Sequence, residues 1–241
     1  MKFGKILLSS AIALTVAGTV TAEPTRGFWI EQGSVAEKGA ASVDLSLNGE
    51  YYSGAARLGL GKAELVLGTS KSDNADHSEA VLKLGMPALQ QLSELNHSWS
   101  VYGGFSVASF DRDAPNKDAH HANFIGGAAF TGKIDALEFT VAPELVVNIN
   151  NKKDSRAYDD ESDTYLNIGL GGYFDLGQTE YGRFKPGAEL LVTTQDGVDN
   201  MFIAGVRWEF NERLTLDVLP VKIGNDDDLS LPGQLRLNAK F

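Results

Sequence analysis

Beyond residue 40 the apolar and polar positions alternate with a period of two, the spacing of a strand with one apolar face. The clearest run is ALEFTVAPELVVNIN, where Leu137, Phe139, Val141, Pro143, Leu145, Val147 and Ile149 share one face and Glu138, Thr140, Glu144 and Asn148 the other. In NMFIAGVRWEF, Phe202, Ala204, Val206, Trp208 and Phe210 alternate with Met201, Ile203, Gly205, Arg207 and Glu209. The final GQLRLNAKF sets Leu235, Leu237, Ala239 and Phe241 against Gln234, Arg236, Asn238 and Lys240. Extended along the chain, the pattern predicts about twelve strands, near 41–48, 54–61, 62–70, 78–85, 97–109, 122–132, 136–149, 163–175, 183–194, 200–210, 213–222 and 233–241. Before Met86 the candidates are short and weakly apolar, so ten strands stand as the alternative, as does an extra strand within RGFWIEQGSV.

The connections alternate between long and short. SKSDNADHS, DRDAPNKDAHHA, NNKKDSRAYDDESD, TQDGVDN and GNDDDLSLPG are long and polar; Gly61-Lys62, GKID, GQTEYG and NE are short, and MPALQQLSELN has room for a short helix. On an even strand count this puts the long loops at one rim and both termini at the other. The polar faces are rich in small or charged residues, among them Gly127, Ala129, Asn167, Gly169 and Gly171, which suits a narrow, filled interior. A soluble sandwich also alternates, but its apolar face is dense with interlocking large residues. Backbone groups in hydrocarbon must all be paired, so a sheet crosses a bilayer only when it closes on itself. The expected fold is therefore all-β: a single closed, antiparallel, up-and-down transmembrane β-barrel over residues 41–241. Phe130, Phe139, Phe174, Phe184, Trp208 and Phe210 fall beside the short turns, where a barrel places its membrane-interface aromatics.

Ahead of the alternating region, Lys2 and Lys5 precede an apolar run from Ile6 to Val20, and Val20-Thr21-Ala22 offers small residues for cleavage. Residues 1–22 read as a cleaved signal peptide, and residues 23–40 as an N-terminal periplasmic segment, a plug or an extra strand. The 241-residue chain has a formal net charge of -11 and no cysteine. Acidity argues against nucleic acid as a partner. The lack of cysteine removes disulfides, thiol catalysis and Cys-ligated zinc.

With its export signal, its alternation across most of 41–241 and its terminal LRLNAKF, the sequence resembles the Gram-negative outer-membrane β-barrel class. Leu235, Leu237, Ala239 and Phe241 look like that class's assembly signal, which the barrel-assembly machinery reads through the strand's exposed edge. The resemblance implies location in the cell outer membrane, with outer-membrane lipids including lipopolysaccharide and the barrel-assembly machinery as partners. It brings no catalytic residue and no cofactor.

On this register the lumen-lining charges are Asp44, Arg57, Glu64, Glu79, Lys83, Glu138, Glu144, Lys185, Glu189, Arg207, Glu209, Asp217, Arg236 and Lys240. Eight are acidic and six basic, whereas an anion-selective pore should show rows of arginine. The functional expectation is porin-like passage of small solutes with a mild cation preference. The alternative is a filled structural or surface-interaction barrel in which opposite charges pair. Aspartates cluster in the long connections, at 154–163 and 226–228 for instance, but without the spacing of a calcium loop, so hydration is their expected role and no metal site is assigned. A hydrolase would need a histidine poised by a nucleophile. His77, His120 and His121 are read as loop residues, and His97 and Ser98, adjacent on a strand, point to opposite faces, so no enzyme is expected.

Overall fold

The computed structural model describes residues 26–47, 51–72, 75–90, 96–110, 119–149, 164–195, 198–224 and 234–241. Wherever large outward residues alternate with small or polar inward ones, the chain is a strand. In order these are β1 (Ala41–Leu47), β2 (Tyr51–Gly59), β3 (Ala63–Ser72), β4 (Ala75–Gly85), β5 (Asn96–Phe110), β6 (Ala119–Ile134), β7 (Leu137–Asn148) and β8 (Thr164–Phe174). They are followed by β9 (Gln178–Thr179), β10 (Gly182–Thr193), β11 (Met201–Glu209), β12 (Leu214–Ile223) and β13 (Gln234–Lys240). A single-turn helix, α1 (Pro87–Gln90), lies within MPALQQLSELN.

All pairings are antiparallel and follow chain order, with β10 between β8 and β11 and with β1 against β13, so the sheet closes. Twelve strands form the wall. β9 is a two-residue offshoot that pairs with the start of β10, and the ten-strand alternative is corrected. The seam is finished by the last residue: the Phe241 N–H donates to the Ala41 carbonyl at 2.7 Å, and the Ala41 N–H to the Phe241 carbonyl at 3.2 Å. Both ends of the wall therefore lie at the rim of short turns. There β6 and β7 are joined through Asp135, which adopts φ 52°, a left-handed conformation that a short polar residue tolerates.

Several strands extend beyond the sequence expectation. SKSDNADHS is mostly strand, with β3 running to Ser72 and β4 starting at Ala75, and β6 starts at Ala119, so His77, His120 and His121 lie on strands and not in loops. At these ends the apolar alternation stops while the backbone ladder continues, with Lys71 paired to Asp76 and Ser109 to His120. β5 and β6 have 15 and 16 residues, well beyond the roughly 9–11 that a bilayer requires.

The outer surface carries exposed apolar side chains, including Leu67, Phe105, Val141, Leu170 and Leu235. The inner surface buries charge: Glu64 and Lys83 are fully buried, and Asp44, Arg57, Arg207, Asp217 and Arg236 nearly so. This inversion of the soluble pattern is what a wall between lipid and a polar lumen demands.

Candidate functional site

The barrel interior is occupied by the chain's own residues 26–40. The first feature is a tight turn, closed by a bridge between Arg26 and Glu31 and by a 2.8 Å bond from the Gly27 N–H to the Ile30 carbonyl. One buried carboxylate, Glu189 on β10, accepts the N–H groups of Phe28 (2.6 Å), Trp29 (2.6 Å) and Ile30 (3.1 Å). The Tyr173 hydroxyl donates to the same carboxylate and accepts the Phe28 N–H at 3.0 Å. Two arginines take the carbonyls: Arg207 donates to Arg26 (3.2 Å) and Gly27 (3.0 Å), and Arg236 to Gly27 (2.6 Å) and Phe28 (3.0 Å). Both are held from behind by carboxylates, Arg207 by Asp217 at 2.8 Å and Arg236 by Asp44 at 2.7 Å.

Apolar contacts complete this seat. Phe28 packs with Tyr173, Ile203 and Leu219, its ring edge-on to Tyr173 with centroids 5.0 Å apart. Ile30 packs with Tyr102, Ala129 and Ala142, and its branches fill the space that a side chain at Gly169 would need. A Cβ at Gly27 would land on the Glu189 carboxylate and the Tyr173 hydroxyl, so any larger residue there requires the groups that hold the turn to shift.

Further along, Glu31 meets Arg57 at 2.5 Å and Lys83 at 3.1 Å. Burial alone would raise the Glu31 carboxyl, but these two cations hold it well below the usual carboxylate range. The Gln32 amide donates to Glu138 at 2.7 Å and its carbonyl accepts from Ser100 at 3.2 Å; the Gly33 N–H donates to Thr131 at 2.9 Å and the Ala36 N–H to Glu64 at 2.9 Å. The chain then leaves through exposed Glu37 and Lys38 to the Gly39 turn and β1. Hydrogen bonds from this one segment reach ten of the twelve wall strands.

RGFWIEQGSV therefore adds no strand to the wall. All fourteen charges expected at the lumen are buried or partly buried, and most are paired. Arg57 also reaches Glu64 (2.7 Å) and Asp44 (3.5 Å), and Lys185 meets Glu209 at 2.9 Å. Glu144 accepts from neutral donors, Tyr102 at 3.3 Å and Asn167 at 3.0 Å. Glu79 lies against Gly68. Lys240 is partly buried near the seam, in register with Ser42.

The six aromatics proposed for the membrane interface stand beside the short turns. Phe130 groups with Trp99, His97 and Phe139, Phe184 stacks on Trp208 with Phe210 beyond it, and Phe174 is exposed at the end of β8. In the terminal strand, Leu235 and Leu237 are exposed on the outside, Ala239 pairs with Val43, and Phe241 closes the seam. At the same rim a cavity of about 360 Å³ opens between α1 and the segment, lined in part by Ser34, Lys62, His97, Ser98, Lys133 and Glu138.

Sequence reasoning gave no role to the apolar inward residues Tyr102, Tyr173, Ile203 and Leu219, and missed the receptor role of Glu189, Arg207 and Arg236. The available signal was the apolar GFWI motif in a polar leader, together with glycines on the inward face of β8. Of the acidic clusters, Asp76 lies on β4 in a 2.5 Å ion pair with Lys71, whereas 154–163 and 226–228 are outside the described residues. No group of metal-binding side chains occurs among the described residues.

No protein-family model matches the sequence, and no curated protein matches it. Among solved structures the chain is similar to the KdgM porin, at 10% identity over 83% of this chain and 96% of that one, with a TM-score of 0.49. It is also similar to Acinetobacter baumannii OccAB1, at 10% identity over 79% and 57% of the two chains, with a TM-score of 0.39.

Proposed function

We propose that the protein is an outer-membrane, porin-type barrel that is closed at rest by residues 26–40. When that segment leaves its seat, the barrel passes small solutes with a mild cation preference. The observation that carries the closed state is the seat itself: main-chain groups of the Arg26–Ile30 turn, buried at the centre of the lumen, are answered by Glu189, Tyr173, Arg207 and Arg236. An apolar exterior above a ring of aromatics and a charged interior support the membrane setting.

The preference for cations follows from what the wall leaves over. Arg57, Lys185, Arg207 and Arg236 are each engaged by a carboxylate of the wall itself, whereas Glu144 and Glu189 draw their hydrogen bonds from neutral donors. Within this reading we assign no catalytic residue. Signal-peptide removal and folding by the barrel-assembly machinery belong to the same reading.

Planar-bilayer conductance tests it. The full chain should give a low resting conductance with brief cation-preferring openings, and Glu189→Ala should raise the open fraction at least about tenfold, one buried hydrogen-bonding group being worth ~1–3 kcal/mol. If neither protein conducts while both are folded, the barrel is a filled structural element and the porin reading is wrong.

A further inference from the structure

The seat reads main chain and one aromatic side chain, and most of it is built without its occupant. Arg207 is fixed by a two-bond contact to Asp217 (2.8 and 2.9 Å) and Arg236 by Asp44, which also accepts from Asn238 at 2.7 Å. Each arginine thus keeps its orientation whether or not a peptide is present, which is the condition for a preorganised site. Glu189 is different: three of its donors belong to the segment, so in an empty seat only Tyr173 and lumen water remain to it. Regaining three main-chain hydrogen bonds to a carboxylate favours refilling.

The geometry points to an autonomous peptide-binding site in the lumen for a glycine-aromatic turn, with the N-terminal segment as its tethered and exchangeable ligand. Specificity comes from two positions. Glycine is favoured at position 27, because a Cβ would displace the Glu189 carboxylate and the Tyr173 hydroxyl that bind the turn. The residue at Phe28 must fill the pocket of Tyr173, Ile203 and Leu219, with the Arg207 guanidinium 5.7 Å from the ring centroid. Trp29 is only partly buried and contributes through its indole N–H to Gln234 at 3.1 Å. Tethering supplies a high local concentration, so a modest intrinsic affinity suffices to keep the lumen closed, and a free peptide of the same chemistry competes for the seat. The inference rests on the closed-at-rest reading but adds a ligand class to it.

The test keeps the full chain and cuts the tether. A site-specific protease sequence is inserted between Lys38 and Gly39, next to the exposed Glu37–Lys38 step, and the folded barrel is cleaved in detergent. Heat-modifiable gel migration before and after the cut verifies the wall. The released segment should stay bound through size exclusion, and a fluorescent peptide of residues 26–38 should exchange into the seat with a rise in anisotropy. Peptides carrying Gly27→Ala or Phe28→Ala should bind at least about tenfold more weakly. Loss of the cut segment with no uptake of the labelled peptide overturns the proposal, as does equal binding of the Gly27→Ala peptide. Collapse of the barrel on cutting overturns it too, because the site must exist without its tether. The readout involves no current, so a barrel that exchanges peptide and never conducts sinks the porin reading and leaves this one standing.

Discussion

At the scale of single residues, the lumen is governed by which buried charges find partners in the segment. Glu189→Ala removes the acceptor of three main-chain N–H groups and of the Tyr173 hydroxyl, and each buried group left unsatisfied costs ~1–3 kcal/mol. The expected result is amide exchange at Phe28, Trp29 and Ile30 that is faster by at least about a hundredfold; unchanged protection would show that the segment does not depend on this carboxylate. Glu31 makes a prediction about pH. Its carboxyl is held below the usual range by Arg57 and Lys83, so its folded pKa lies under its unfolded one. Its contribution is therefore full above the ordinary carboxylate pKa of about 4 and fades only as pH falls through the lower, folded value. Protection of the segment should accordingly persist through mild acid, and Glu31→Gln should abolish this stabilisation at neutral pH. Release of the wild-type segment between about pH 6 and 5 would contradict the pairing.

The strands show what a single layer can encode. Odd and even positions on β7 face opposite sides of the wall, with Val141 exposed on the outside and Glu144 turned to the lumen. Val141→Arg, near the middle of the strand, should lower barrel stability by ~2–4 kcal/mol when folding is followed into lipid vesicles by gel migration. Glu144→Arg should leave the folded fraction nearly intact and act on ion preference; equal damage from both would mean that the two faces are not in different solvents. The wall was legible in the sequence because its outward positions obey one rule, apolar and exposed, on strand after strand. The strand ends were less legible: Lys71–Ser72 and Ala119–His121 lie where the apolar rule lapses but the ladder continues. The segment's role was not legible at all, since its partners are spread over ten strands. Ile203 and Leu219 read as apolar irregularities on a polar face until Phe28 is placed between them.

For the whole molecule, the wall is uneven, and the segment spans its weak side. β5 and β6 pair over fifteen positions, whereas β1 with β13 and β13 with β12 pair over six each. The short side is weakened again where the β11–β12 register shifts between Ala204 and Val206, close to Pro220. From inside, the turn at 26–31 binds β10, β11 and β13 on one flank of the seam through Glu189, Arg207 and Arg236, and β2 and β4 on the other through Arg57 and Lys83. Asp44 on β1 joins the two flanks, with Arg236 at 2.7 Å and Arg57 at 3.5 Å. The stopper is thus also a brace across the closure of the barrel. Deleting residues 26–38 should speed amide exchange in β1 and β13 by at least about tenfold while leaving β5 and β6 protected, because cooperative units with fewer partners open first. A uniform change around the barrel, or none, would show that the seam holds by its own ladder and that the segment only fills space.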